Sequence, residues 1–189
     1  MNSCLIVIDV QESFRHRPFF TEQDLGAYLL AQNALIAGAQ AQGMPIVRVF
    51  HSSGPADASN PFSLASGHVR ALDGLQAFDA ALTVTKSRHS ALVGTGLDVW
   101  LTENHIDRII MCGIRTEQCC ETTTRHASDL GWTVDFCLEA TLTFDMTQPD
   151  GTPLRAAEIK ARTAAVLQDR FARICTVEQA LAQSEAVPA

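Results

Sequence analysis

Short apolar runs alternate with longer helical patterns along this chain. The run "CLIVIDV" (4–10) is interrupted only by Asp9, which is the pattern of a strand buried on both faces. Similar runs predict further strands at 45–50, 81–86, 107–113, 132–138 and 172–177, with helices at 21–43, 95–104, 116–131 and 154–171 between them. Strands that alternate with helices form a parallel sheet covered on both faces. The sequence therefore predicts a doubly wound, Rossmann-like α/β fold of about six strands.

Size and charge restrict the partners and the location of the protein. A chain of 189 residues fits a single domain over residues 1–189, with a core that needs no disulfide or metal. Its formal charge of −7 argues against nucleic acid and anionic membranes as partners. No apolar run approaches the roughly 18 residues of a membrane span, and the N-terminus lacks the features of a secretory signal. We therefore expect a cytoplasmic protein.

The cysteines fall into two groups. None forms a C-x-x-C pair, and no histidines repeat at zinc-ligand spacing beside them, so we expect no metal site. Nor does a Gly-rich cofactor fingerprint follow the first strand, where "DVQESF" stands instead, and we expect no cofactor. Cys119 and Cys120 follow a strand among polar residues. The others lie in or beside apolar runs, as small buried side chains do: Cys4, Cys112, Cys137 and Cys175.

Three polar residues fall where strands end. Asp9 ends the first strand, Lys86 ends the third, and Cys119 lies in the first turn of a helix predicted to be capped by Thr116. Ligands of open α/β sheets bind beyond the carboxyl ends of the strands, so these side chains could meet there. A helix N-terminus and a nearby lysine would lower the pKa of the thiol. Taken singly, Asp9 could instead bind a loop, and Lys86 could be solvated.

Three blocks resemble the isochorismatase-like cysteine hydrolases, the superfamily of nicotinamidase, N-carbamoylsarcosine amidase, and the ureidoacrylate and biuret amidohydrolases. They are "LIVIDVQESF" (5–14), "VTKSRHSALVGTGLDVWL" (84–101) and "IIMCGIRTEQCCETTTRHASDLGWTV" (109–134). The third block is similar to the family pattern G-[VI]-x-T-x-x-C-x-x-x-T-x-R-x-A. The matching positions are Gly113, Thr116, Cys119, Thr123, Arg125 and Ala127.

The resemblance implies roles for individual residues and an enzyme activity. It implies a catalytic set of Asp9, Lys86 and the nucleophile Cys119, while Cys120 would be a packing residue. It also implies a cis peptide between Ile114 and Arg115, and an oxyanion hole formed by the N–H groups of Arg115 and Cys119. The implied enzyme is a metal-independent amidohydrolase acting on C–N bonds other than peptide bonds. It would cleave a small amide, carbamoyl or ureido compound through a thioester.

Two positions depart from the family pattern. Nicotinamidases carry a D-x-H-x-x-x-H-like metal cluster after the second strand, whereas here His51 is followed by no histidine until His68. Arg115 replaces the small residue of many relatives. Its side chain could point into the pocket and pair with a substrate carboxylate, or could lie at the surface.

Residues near the predicted mouth supply the candidates for binding a small-molecule substrate. The aromatic residues there could line a small apolar pocket, although each could equally pack in the core. The candidates are Gln11, Phe14, His51, Phe62 and Arg115. By resemblance we also expect a homo-oligomer, either a dimer or a tetramer.

Two other functions remain open on the sequence alone. An isochorismatase-type enzyme would cleave a vinyl ether, a reaction that does not need the thiol. A non-catalytic domain of the same type would serve as a scaffold. A redox-sensing domain would use the adjacent Cys119 and Cys120, but neighbouring residues on a helix point about 100° apart and do not bridge easily.

Overall fold

The computed structural model describes residues 1–182 of the chain. The strands are β1 Ser3–Ile8, β2 Ile46–His51, β3 Leu82–Lys86, β4 Arg108–Ile114, β5 Thr133–Leu142, β6 Met146–Thr147, β7 Pro153–Leu154 and β8 Arg173–Cys175. The α-helices are α1 Leu25–Ala41, α2 Leu97–Glu103, α3 Glu121–Asp129, α4 Ala156–Leu167 and α5 Val177–Leu181. Short 3₁₀ turns cover Glu12–His16 and Leu64–Ser66, and a π-helical turn covers Thr116–Cys120.

Six strands form one parallel sheet in the order β3-β2-β1-β4-β5-β8. The prediction of a doubly wound α/β fold with about six parallel strands is therefore confirmed. The order reverses between β1 and β4, which are the first strand and the strand that precedes the π-helical turn. Open sheets of this kind bind ligands at that reversal, so the topology directs attention to the carboxyl ends of β1 and β4.

Alternate residues of the strands face two separate cores. Leu5 and Val7 of β1 pack on the side that carries α1 and α5, whereas Ile6 and Ile8 pack on the side of α2, α3 and α4. All four side chains are buried, which explains why the run shows no polar alternation. Helices on both faces hold the sheet rigid beneath its carboxyl edge.

Strands β1 and β4 approach each other closely where the site begins. Gly113 pairs with Ile8 and has φ +129°, a conformation that disfavours side chains. A Cβ atom at position 113 would lie 2.0 Å from the Ile8 carbonyl oxygen. Because only glycine fits this contact, Gly113 fixes the spacing between the ends of the two strands.

The local structure differs from the prediction around the cysteine pair. The α-helix begins at Glu121, not at Thr116, because the Cys120 N–H reaches back five residues to the Arg115 carbonyl and opens a π turn. Thr116 does not cap a helix, since its hydroxyl donates to Thr141 at 2.8 Å. Cys119 therefore lies in the π turn and precedes the α-helix.

The boundaries of other helices and strands differ from the predicted ones by a few residues. Helix α1 begins at Leu25 rather than residue 21, and strand β5 runs on to Leu142. The short antiparallel pair β6–β7 was not predicted. None of the helices within residues 1–182 combines the length and the hydropathy needed to cross a membrane. The predicted domain of 1–189 includes residues 183–189, which lie outside the described part.

Candidate active site

The structure brings Asp9, Lys86 and Cys119 together at the carboxyl edge of the sheet. Lys86 Nζ lies 2.7 Å from Asp9 Oδ2 and 3.2 Å from Cys119 Sγ. The side chains of Asp9 and Lys86 are fully buried, and Cys119 is 7% exposed. Asp9 adopts a left-handed backbone conformation, φ 51°, which costs a residue with a side chain roughly 1–2 kcal/mol. The chain thus turns sharply after β1 and directs this carboxylate at the lysine.

A third group, His51, completes the contacts of the lysine. His51 ends β2 in register with Lys86 of β3, and its Nδ1 lies 2.9 Å from Lys86 Nζ. An ammonium group has three N–H donors, and here it meets three acceptors, in Asp9, His51 and Cys119. Nδ1 must therefore be unprotonated, so that Nε2 carries the hydrogen and donates to Ser53 Oγ at 2.8 Å. His51 is a neutral member of the site.

The electrostatics of His51 agree with this assignment. Burial, the Lys86 ammonium and His89 lower the pKa of His51 to about 4. An unfolded histidine titrates near 6.5. Between pH 6.5 and 4 the unfolded chain therefore binds more protons at this residue than the folded protein does, and His51 contributes a loss of stability as the pH falls.

We expect His51→Asn to weaken the dependence of stability on pH. The variant should lose less free energy of unfolding than the wild type when the pH falls from about 6.5 to 4.5, because its side chain does not titrate. Urea denaturation at the two pH values measures this difference. His105→Asn, which replaces an exposed histidine, is the matched control. An unchanged pH dependence in His51→Asn would contradict the assignment of a neutral, buried imidazole.

The thiol does not have the lowered pKa that the sequence predicted. Burial and the Asp9 carboxylate raise the pKa of Cys119 to about 12, and the Lys86 ammonium offsets this only in part. The prediction was wrong because it left out burial of the thiol, which is the main cause of the shift, and the effect of the Asp9 carboxylate on the pKa. The α-helix whose N-terminus it relied on begins beyond Cys119. At neutral pH the resting side chain is a thiol.

The Asp9 carboxyl is placed to accept a proton. Its Oδ2 atom accepts from Lys86, while its buried Oδ1 atom has no hydrogen-bond partner among the described residues. A carboxylate oxygen of Asp9 and the sulfur of Cys119 lie within 4.8 Å of each other. Burial raises the pKa of Asp9 although Lys86 opposes the shift, and this makes the carboxylate a stronger base toward the thiol.

A cleft of about 310 Å³ opens above these groups, a volume at the small end for ligand pockets. Its residues come from the segments after β1, β2, β3 and β4. They are Asp9, Phe14, Arg17, Phe19, His51, Ser53, Gly54, Asn60, Phe62, His89, Arg115, Gln118 and Cys119. The long segment that follows β2 supplies four of them.

Four of the five candidate binding residues line the cleft, and Gln11 does not. Gln11 is fully buried, and its side-chain amide binds the main chain of His51 at both ends, at 2.7 Å and 3.0 Å. It therefore holds His51 in place and has no atom free for a substrate. Phe14 and Phe62 form an edge-on pair with centroids 5.2 Å apart, and Phe62 also packs against the His51 ring.

Arg115 points into the cleft and not toward the surface. Its side chain is 8% exposed, its guanidinium lies over the Phe19 ring at 4.8 Å, and Nη2 is 3.1 Å from Glu117 Oε1. Glu117 is held in turn by the Thr143 hydroxyl at 2.6 Å. Of the two orientations left open by the sequence, the structure has the inward one.

The main chain around Arg115 differs from a regular helix or strand in its hydrogen bonds. The Ile114–Arg115 peptide bond is cis. The Arg115 carbonyl accepts hydrogen bonds from the N–H groups of Gln118 and Cys120, but not from the N–H group of Cys119. Within residues 1–182 no acceptor bonds the N–H of Arg115.

Three metal-binding side chain types also meet at this point. Single ligand atoms of Asp9, His51 and Cys119 lie within 4.8 Å of one another. All three groups bond the Lys86 ammonium, however, so a metal ion would compete with a resident cation for every one of its ligands. In this arrangement the three groups already share one cation, the Lys86 ammonium.

Sequence reasoning missed several residues of the cleft. Arg17, Ser53 and Asn60 line it without belonging to any motif, and Arg17 lies in the basic stretch "RHR" before the first helix. Cys120, by contrast, is fully buried in the core beneath α3, as the packing interpretation predicted.

Comparison with known proteins gives a consistent result. The family model of the Isochorismatase domain matches residues 3–179. The chain is 28% identical to YrdC of Bacillus subtilis (strain 168), an uncharacterized isochorismatase family protein, over 93% of this chain and 92% of that protein. It is similar to the crystal structure of an isochorismatase from Pseudomonas putida KT2440, with TM-score 0.81, 26% identity, and coverage of 94% and 89%. A 74-residue segment is 35% identical to Nicotinamidase 3 of Arabidopsis thaliana, covering 39% of this chain and 37% of that one.

Proposed function

This chain belongs to the isochorismatase family, and on that basis we propose that it is a cysteine hydrolase of small amide, carbamoyl or ureido compounds. The observation that carries the proposal is the contact of one buried ammonium, Lys86, with both the Asp9 carboxylate and the Cys119 sulfur. Nucleophile, base and an orienting cation within hydrogen-bond reach form the arrangement that covalent acyl transfer requires. The 35% identity to a segment of a nicotinamidase supports the same reaction class.

The first half of the reaction forms a thioester. Asp9 Oδ1 takes the thiol proton as Cys119 Sγ attacks the substrate carbonyl carbon. The negative charge that develops on the carbonyl oxygen is met by the N–H groups of Arg115 and Cys119. The C–N bond then breaks, and Asp9 returns the proton to the departing ammonia or amine.

The second half hydrolyses the thioester. Water replaces the amine, gives a proton to Asp9 and attacks the acyl carbon, after which the C–S bond breaks and the thiol recovers the proton. Lys86 stays positive throughout and keeps Asp9 and the sulfur in place. His51 stays neutral, because a second cation beside Lys86 would be unfavourable.

We expect wild-type protein to release ammonia from members of a panel of small amides, N-carbamoyl compounds and ureides. Chelation should leave the rate unchanged, because Lys86 occupies the position between the ligand atoms that a metal would take. A coupled assay for ammonia, run with and without EDTA, measures both. Activity lost on chelation and restored by a divalent ion would contradict metal independence. Cleavage of a vinyl ether without amide hydrolysis would show that the protein has the isochorismatase-type activity instead.

A further inference from the structure

Arg115 has donor atoms that the protein itself does not use. Its Nε and Nη2 atoms are buried and form no hydrogen bond among the described residues. Glu117 Oε1, 3.1 Å from Nη2, lies outside hydrogen-bonding geometry and is itself without a hydrogen-bond partner. Buried unpaired donors of a charged group are costly, so they indicate a ligand that pairs with them when bound. These atoms belong to a side chain that lines the cleft.

The charged residues of the cleft indicate whether that ligand is an anion or a cation. Among its described lining residues only Asp9 is acidic; that carboxylate pairs with Lys86, as the Arg115 guanidinium pairs in charge with Glu117. Two arginines line the same cleft, Arg115 inside and the exposed Arg17 at the rim. Arg17 has no ion-pair partner among the described residues, and a cation at the mouth of a concave site attracts anions.

Arg115 and Cys119 lie near each other in the chain, so an anion bound by Arg115 would lie near the carbonyl carbon that the Cys119 sulfur attacks. Arg115 directly precedes the π-helical turn that contains Cys119, and both line the same cleft, so an anion at Arg115 and a carbonyl at the sulfur can belong to one small molecule. The walls around them are the rings of Phe14, Phe19 and Phe62, which suit a short carbon skeleton. Guanidinium groups bind carboxylates through two parallel N–H donors.

We propose that the substrate is a small amide, carbamoyl or ureido compound that also bears a carboxylate, and that Arg115 binds this carboxylate through Nε and Nη2. The inference rests on the proposed function, since it specifies the substrate class of the same cleft. Glu117, whose carboxylate accepts from the Thr143 hydroxyl, lies 3.1 Å from Nη2 as a charge partner, and Arg17 attracts the anion at the entrance. Arg115 thereby determines specificity.

Two thiol reagents test the proposal without knowledge of the substrate. Iodoacetate and iodoacetamide have nearly the same shape, and both form an S–C bond with loss of iodide, but only the first is an anion. We expect Arg115→Ala to lower the ratio of the two rates at Cys119 by about tenfold, the effect of losing one charged hydrogen-bonded pair. Mass spectrometry of the peptide that contains Cys119 measures each rate. Arg170→Ala removes an exposed arginine remote from the cleft and should leave the ratio unchanged. An unchanged ratio in Arg115→Ala, or an equal fall in both rates, would overturn the inference.

A second measurement separates this inference from the proposed function. Propionate should raise the Tm of the wild type more than propionamide does, and this difference should vanish in Arg115→Ala. If it does so while the amide panel gives no ammonia, the anion site stands and the proposed hydrolysis fails. If amides are hydrolysed with equal kcat/KM whether or not they bear a carboxylate, the hydrolysis stands and the anion site is overturned.

Discussion

Cys119→Ala is expected to lower kcat for amide hydrolysis by roughly 10⁴–10⁶-fold, the range found when a covalent nucleophile is removed from other hydrolases. Without the sulfur no thioester can form, and Asp9 has no thiol proton to accept. The measurement is ammonia release under saturating substrate, with circular dichroism to verify the fold. The large effect follows from the geometry, since Cys119 is the only thiol that lines the cleft among the described residues.

Cys120→Ala is the matched control for this experiment. Both variants remove one sulfur from adjacent residues of the same turn, yet Cys120 is fully buried in the core and does not line the cleft. It should keep its activity and lose about 1 kcal/mol or somewhat more in stability, as the loss of a small buried group does. Comparable losses of activity in the two variants would mean that the turn, and not the Cys119 sulfur, matters. Full activity in Cys119→Ala would exclude the thioester.

Lys86→Met is expected to abolish activity and also to destabilise the fold by about 3–5 kcal/mol. The methionine fits the space of the lysine stem but leaves the Asp9 carboxylate buried without its cation, 0% exposed in the folded protein. Removal of one partner of a buried pair is costly because the other charge remains in a medium that does not solvate it. Urea denaturation of the variant and the wild type gives the free energy difference.

Two further variants make the stability result specific to the charge pair. Lys86→Met combined with Asp9→Asn removes both charges, so it should recover part of the lost stability and none of the activity. Lys160→Met replaces the chain's other lysine, whose ammonium bonds the Thr141 carbonyl, and should be destabilised much less. If Lys86→Met were no less stable than Lys160→Met, Asp9 and Lys86 would not form a charged pair in the folded protein.

The sequence predicted the architecture because the signals for it are local. Mainly apolar runs such as 4–10, interrupted only by Asp9, and 109–112 are typical of buried strands between helices. The strand-end rule then placed Asp9, Lys86 and the cysteine turn on one edge. The hairpin β6–β7 escaped prediction because two-residue strands carry no periodicity.

The details of the site depend on contacts between distant parts of the chain. In the π turn at Thr116–Cys120 the Thr116 hydroxyl donates to Thr141, a residue 25 positions later, and no helical pattern encodes that contact. The direction of the Cys119 pKa shift depends first on burial of the thiol in the folded chain and then on Asp9, which lies 110 positions earlier in the sequence. The inward orientation of Arg115 depends on Phe19 and Glu117, whose neighbourhood only the folded chain defines.

Position 113 and the segment after β2 differ in the substitutions that they tolerate. Since β1 and β4 touch backbone to backbone at Ile8 and Gly113, a side chain at position 113 would push apart the strands that carry the acid and the thiol. Exchanges in the segment after β2, which contributes Asn60 and Phe62, would leave that spacing untouched. The lining of the cleft can therefore change by substitution in this segment while Asp9 and Cys119 keep their relative positions, which depend on a position that tolerates no side chain.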